Sequence, residues 1–327
     1  MIRKHRVIKY ITCVIFLAFS ISCQDANKVK VIKLGHGLDA SHPVHEAMMF
    51  MAERLAEKSG GSMKIKIYPS QQLGTERECL ELLQIGSLGM TKVSVGVLEN
   101  FVPDLKLFGL PFLFRDKKHA HKVLDGEIGR KLLDASIGVR LKGMAFYDAG
   151  SRSFYTKRPV NKPEDLKGLK LRVMESQTAI DMVRNLGGSP TPISWGELYT
   201  SLQQGIVDGA ENNLPSFYLS HHFEVCKYYI MDEHTTLPDM LLISTTIWNS
   251  LNDQQKTWME EAARESVAYE RKIWEEAENH ALEEIKKAGV EVIYPDKEPF
   301  REKVSGMYEI FKQDPHLKEI IETIQAE

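Results

Sequence analysis

The chain has 327 residues, with 42 Lys and Arg against 45 Asp and Glu and a formal net charge of −3. Such a length exceeds one small core and suits two lobes. The slightly acidic balance argues against a nucleic-acid partner, which needs a basic face, so any bound anion must be met by local cations.

The first segment reads as a targeting signal. Arg3, Lys4, Arg6 and Lys9 precede an apolar run from Tyr10 to Ile21, which is too short to span a bilayer. Ser20 and Ser22 lead to Cys23, the pattern of a lipoprotein signal over residues 1–22, cut before Cys23 and lipidated on it. An ordinary secretory cut nearby is the other reading. Residues 1–22 hold four bases and no acids, so the chain from Cys23 carries 38 bases against 45 acids, a net −7 over 305 residues.

Strand and helix patterns then alternate. Val29 to Gly35 alternates as a strand, and Pro43 to Lys58 reads as a helix with proline in its first turn and Gly60-Gly61 beyond its end. Met63 to Tyr68 is a strand and Thr75 to Gln84 a helix. Lys92 to Val97 reads as a strand. Asp116 to Val139 gives two helices split near Gly126. Lys142 to Tyr147 and Ser153 to Lys157 are strands flanking Gly150.

The stretch from Asp165 to Asn213 is the most informative. Leu169, Leu171 and Val173 alternate with Lys170, Arg172 and Met174 as a short strand. A helical run, Gly187-Gly188 and a rigid Pro190-Thr191-Pro192 follow. Trp195 to Gln204 reads as an amphipathic helix stopped by Gly205, and Asp208 to Asn213 as a closing polar turn. Cys226 to Ile230 and Met240 to Thr246 are further strands. This alternation predicts an α/β architecture.

Asn252 to Ala288 contains no Pro or Gly. Its apolar positions run through Trp258, Ala262, Tyr269, Ile273, Ala277, Ala281 and Ile285. Asn252 with Gln255 makes a capping-box start, and Gly289 a stop. Such a helix is roughly 55 Å long, wider than one lobe. A coiled-coil dimer is the other use of so long a helix, but the stripe is poor in Leu and Ile for an a/d seam.

The LKGLKLRV, SPTP and VDGAEN segments together resemble the solute-binding proteins of TRAP (tripartite ATP-independent periplasmic) transporters, from about Lys30 to the C-terminus. The resemblance implies a two-lobed periplasmic-binding-protein-like fold, with a cleft between the lobes and the long helix crossing both. Crossovers near Gly150 and Pro238 divide it into 28–150 with 239–277 and 151–238 with 278–327. It makes Arg172 the clamp for a ligand carboxylate, a role suited to a planar fork of N–H donors. Arg152 is then a second donor, Asn212 an amide contact and Trp195 an aromatic wall. Glu76 and Ser94 fall where ligand hydroxyls are met.

Other features bear on the ligand. The turn reads ENN, so Asn213 adds an amide, and His36, His42, His45 and Asp239 add polar groups near the same mouth. Glu76 and Asp239 would repel a second carboxylate and welcome a hydroxyl. The GAENN, PSFY, VCKYY and DEH segments resemble the uronate-binding members of the family. Together with these polar groups, that resemblance implies a hexuronate such as glucuronate or galacturonate, with a C4-dicarboxylate or a sensory lipoprotein role as alternatives. A TRAP permease is the implied partner, in the periplasm, for a monomeric, lipid-anchored receptor.

No cofactor, metal or catalysis is expected. His42 with His45, and His221-His222 with Cys226, lack a convincing ligand set. No HExxH, GxSxG, Walker or GxGxxG motif is present. Only Glu76 with Asp239 could serve a sugar-acid enzyme as an acid/base pair. Cys79 and Cys226 lie in a helix and near a strand start, contexts that argue against a disulfide.

Overall fold

The computed structural model describes residues 29–327, so the signal segment and Cys23 lie outside the described residues. Two sheets organise the chain. The first has the order β2-β1-β3-β10-β4 and comprises β1 (Lys30–Gly35), β2 (Met63–Tyr68), β3 (Met90–Ser94), β4 (Leu141–Tyr147) and β10 (Asp239–Ser244). The second has the order β11-β9-β5-β8-β6-β7. Its strands are β5 (Ser151–Thr156), β6 (Lys170–Val173), β7 (Ser189–Pro192), β8 (Gly209–Asn212), β9 (Tyr228–Thr236) and β11 (Glu291–Ile293).

The chain passes between sheets at three places, β4 to β5, β9 to β10 and, through the Asp253–Lys287 helix, β10 to β11. Gly150 lies in the first crossover at φ 59°. A Cβ there would stand 2.3 Å from Glu278 Oε1, so both conformation and space demand glycine. β1 runs parallel to β2 and β3, and β6 parallel to β7 and β8. The carboxyl ends of these strands open on one cleft, the usual ligand position in open α/β sheets.

The Asp253–Lys287 helix carries the expected capping box of Asn252 and Gln255. It packs on the Pro43–Lys58 helix and β4 of the first lobe and on the Leu214–Leu219 helix of the second. It is the spine joining both lobes. Its buried seam is Met259, Ala262, Ala263, Ser266, Glu270, Trp274, Ala281 and Ile285. Trp258, Tyr269, Ile273 and Ala277 of the expected stripe are only half-buried. The seam was obscured because one core position is an acid: Glu270 accepts from the crossover amide of Asp148 at 3.0 Å.

Two local readings are corrected. Asp208 to Asn213 is no turn; Gly209–Asn212 is a buried inner strand. Its polar letters mislead because the Glu211 carboxylate and Asn212 Oδ1 are hydrogen-bonded inside the lobe, and Gly209 is small because a Cβ would meet Tyr155 O at 2.4 Å. Ser189–Pro192 is likewise a strand, at the sheet edge where proline is tolerated. Elsewhere β3 ends at Ser94, whose hydroxyl caps a short Val95–Leu98 helix. The C-terminal Pro315–Ala326 helix packs against the Pro103–Gly109 turn, and His119 Nε2 bonds Ile324 O at 2.8 Å. Cys79 and Cys226 are free and buried.

Candidate functional site

The cleft holds about 740 Å³ of space between protein atoms, part of it open to solvent. Arg172, Arg152, Asn212, Asn213, Trp195, Glu76, Ser94 and Asp239 all line it. His36 does not. Its ring bonds His45 Nδ1 at 2.9 Å and accepts from Leu38 N at 3.2 Å, so it braces the loop after β1.

Arg172 sits on β6 and is 3% exposed. Its Nε donates to Ile193 O at 2.8 Å, and its guanidinium lies 5.8 Å from the Trp195 ring centre. No carboxylate pairs with it among the described residues. Burial lowers its pKa, opposed by Tyr155 and Glu211, but an arginine keeps its charge. A buried, unpaired cation is costly, and an anion entering the cleft would relieve that cost.

Arg152 is different. Its Nε and Nη2 engage the Glu211 carboxylate, Nη2 also reaches Glu211 O, and Nη1 donates to Asn212 Oδ1 at 2.8 Å. Most of its donors are spent inside the protein. Asn212 Oδ1 also accepts from Asn213 N at 2.9 Å, while Asn213 Oδ1 caps the Leu214–Leu219 helix through Ser216 N at 2.8 Å. Both amide nitrogens lack protein partners among the described residues.

Behind Arg152 lies a buried relay that sequence reasoning missed. His234 Nδ1 bonds Asp232 Oδ2 at 2.8 Å, and its Nε2 lies 3.6 Å from Glu211 Oε2. Burial alone would lower the imidazole pKa, but Asp232 and Glu211 outweigh it and hold it up to about 9. Burial would raise Glu211, but Arg152 and His234 hold it down to about 2. The His234 contribution to stability is full below pH 6.5 and is lost as pH rises through 9. The Glu211 contribution is present above pH 4.5 and lost as pH falls through 2. Stability should therefore peak between these limits and fall by on the order of 3 kcal/mol above pH 9. In urea melts, His234→Asn should flatten that alkaline limb; a limb unchanged in the variant would remove His234 as its cause.

The opposite wall carries the second missed group. Lys92, on β3 and 2% exposed, donates to Asp239 Oδ2 at 2.9 Å and Glu76 Oε1 at 3.3 Å. Ser94 N also donates to Glu76 Oε1 at 3.2 Å. One oxygen of each carboxylate is left without a protein partner among the described residues. Burial would lower Lys92, but Asp239 and Glu76 raise it. Glu76 is raised, first by burial, then by Asp239, against the pull of Lys92. A lysine between Met90 and Val93 in the Met90–Ser94 strand was the available signal.

His42 also lines the cleft. Its Nδ1 caps the Pro43–Lys58 helix, and its Nε2 bonds Ser216 Oγ of the second lobe at 3.2 Å. Burial, then Lys92, drives its pKa well down, so the ring is neutral. His222 stacks on Tyr155 and bonds its hydroxyl at 2.9 Å. No cluster of three metal-ligating side chains occurs among the described residues.

The chain resembles several known proteins along most of its length. A TRAP periplasmic solute-binding protein of Xanthobacter autotrophicus Py2, solved with β-D-galacturonate, superposes with TM-score 0.88 at 40% identity, covering 90% of this chain and 99% of that one. One from Pseudomonas putida F1, solved with D-glucuronate, gives 0.88 at 38% identity, covering 91% and 97%. An uncharacterised Salmonella typhimurium protein, YiiZ, is 39% identical over 90% of this chain and 91% of its own. Residues 34–314 match the model of bacterial extracellular solute-binding proteins, family 7. The expected resemblance thus holds on sequence and fold together: the chain belongs to this family of TRAP solute receptors.

Proposed function

We propose that the protein is an extracytoplasmic receptor that captures a hexuronate, such as D-galacturonate or D-glucuronate, and delivers it to a TRAP membrane permease. The observation that carries this reading is the asymmetry of the cleft. The Arg172 wall offers an unpaired buried cation, and the Glu76 and Asp239 wall offers open acceptor oxygens. A hexuronate has one carboxylate for the first and hydroxyls for the second. A C4-dicarboxylate would set its second carboxylate against Glu76 and Asp239. The ligands in the Xanthobacter and Pseudomonas relatives support the same choice.

In this reading residues 28–150 with 239–277 form one lobe and 151–238 with 278–327 the other, the last helix reaching back across the division. Arg152 and Asn212 finish the carboxylate site, Trp195 packs on the sugar, and Ser94 and Asn213 meet hydroxyls. The receptor works as a periplasmic monomer, anchored through lipid on Cys23, and does no chemistry on its cargo.

A screen of uronates, aldonates and C4-dicarboxylates by thermal shift tests the assignment. At a hundred times its dissociation constant a ligand adds about 2.7 kcal/mol, or roughly 4–5 °C for a chain of this size. Tryptophan fluorescence should change with the same midpoint, because Trp195 and Trp274 both border the cleft. A shift with succinate or malate and none with either uronate would overturn the hexuronate assignment.

A further inference from the structure

The loop between β2 and the Glu76–Gln84 helix contains unusual backbone. Ser70 and Gln71 are consecutive left-handed residues, at φ 53° and 58°, a conformation unfavourable to any residue with a Cβ. Such strain persists where the surroundings impose it, and it gathers at ligand clamps. Here Ser70 N bonds Leu38 O at 2.8 Å and Gln71 N bonds His36 O at 3.1 Å, which lock the loop. Gln71 is thereby set into the cleft wall. Its Nε2 is buried with no hydrogen-bond partner among the described residues, a state that costs free energy until an acceptor arrives.

Across the cleft stands Gly196, in the Trp195–Glu197 turn of the second lobe. Its backbone is not left-handed, so conformation does not require glycine there. What a Cβ would meet is Gln71, with Oε1 at 2.4 Å, Cδ at 3.0 Å and Nε2 at 3.3 Å. The empty position at 196 is therefore a seat for the Gln71 carboxamide, and the two lobes touch through it.

We propose that Gln71 is a latch across the cleft mouth. With the lobes together, its carboxamide seats on Gly196 and its Nε2 donates to an oxygen of the bound acid. An amide suits the place because it donates without adding charge to a cleft already balanced by Arg172, Lys92, Glu76 and Asp239. The proposal rests on the hexuronate reading and adds a binding residue to it.

The test is a double-mutant cycle read by calorimetric titration with D-galacturonate and D-glucuronate. Gln71→Ala removes the donor, and Gly196→Ala displaces the carboxamide from its seat, so each should weaken binding about tenfold. The double variant should bind no worse than either single one, because both changes remove the same contact. Unliganded melting temperatures should match the wild type, since Gly196 is exposed and Gln71 only half-buried. The wild-type titration separates the two claims. No binding of either uronate refutes the function proposed above. Normal wild-type binding that both single variants leave within twofold, or losses that add in the double variant, refutes the latch.

Discussion

Arg172→Ala is expected to abolish uronate binding while leaving the fold intact. The guanidinium is buried and spends one donor on Ile193 O; the remaining donors have no carboxylate among the described residues. Removing one partner of a desolvated, charge-assisted pair costs about 3–5 kcal/mol, a loss of roughly a hundred- to several-thousandfold in affinity. Arg172→Lys should also bind poorly, because an ammonium cannot present the bidentate fork. The unliganded protein should respond in the opposite sense. A buried cation without a counter-ion destabilises it, so Arg172→Met should melt no lower than the wild type without ligand, yet gain nothing from uronate. Titration and melts of the three variants decide the matter: an affinity within tenfold of the wild type for Arg172→Ala would remove Arg172 as the clamp.

The two arginines show what could be read from sequence and what could not. Arg172 stood out through the LKGLKLRV motif that carries the family resemblance, and it lines the cleft. Arg152 borders the same site, but the sequence pattern puts its main partner, Glu211, in a turn. Strand β8 was illegible because its letters are Gly, Ala, Glu and Asn, and only the buried Arg152 and His234 make a polar inner strand tolerable. The spine helix was plain from its caps and its freedom from Gly and Pro. Its buried face was harder, since Glu270 takes a core position. Local signals fix an element; pairing between residues dozens or hundreds apart decides which polar groups can be buried. His36 failed for the same reason: its partner His45 satisfies it before the cleft can. Gln71 gave no signal at all, because its role depends on backbone strain and on what faces it at Gly196.

Lys92→Met is expected to cost the fold more than any other change in the site, and Glu76→Gln to change which acids the site accepts. Lys92 is the cation shared by Glu76 and Asp239. Without it two carboxylates face each other in a desolvated wall, a loss of about 3–5 kcal/mol and roughly 5–8 °C in melting temperature. Their repulsion raises the folded-state carboxyl pKa in the variant, so its stability should recover as pH falls, the reverse of an ordinary paired acid. A variant that melts like the wild type, or shows no recovery in acid, would mean that Lys92 does not hold the pair. With Lys92 present the wall keeps one net negative charge and two open oxygens. That charge is what should exclude an aldarate, the sugar acid with carboxylates at both ends. Glu76→Gln keeps the carbonyl oxygen that accepts from Ser94 N and Lys92 but removes the excess charge. It should admit D-glucarate, gaining at least tenfold in its affinity. It should also weaken D-glucuronate, because one acceptor for its hydroxyls becomes a donor. Were glucarate to bind both proteins alike, the wall would not select by charge, and discrimination would have to come from the shape of the closed cleft.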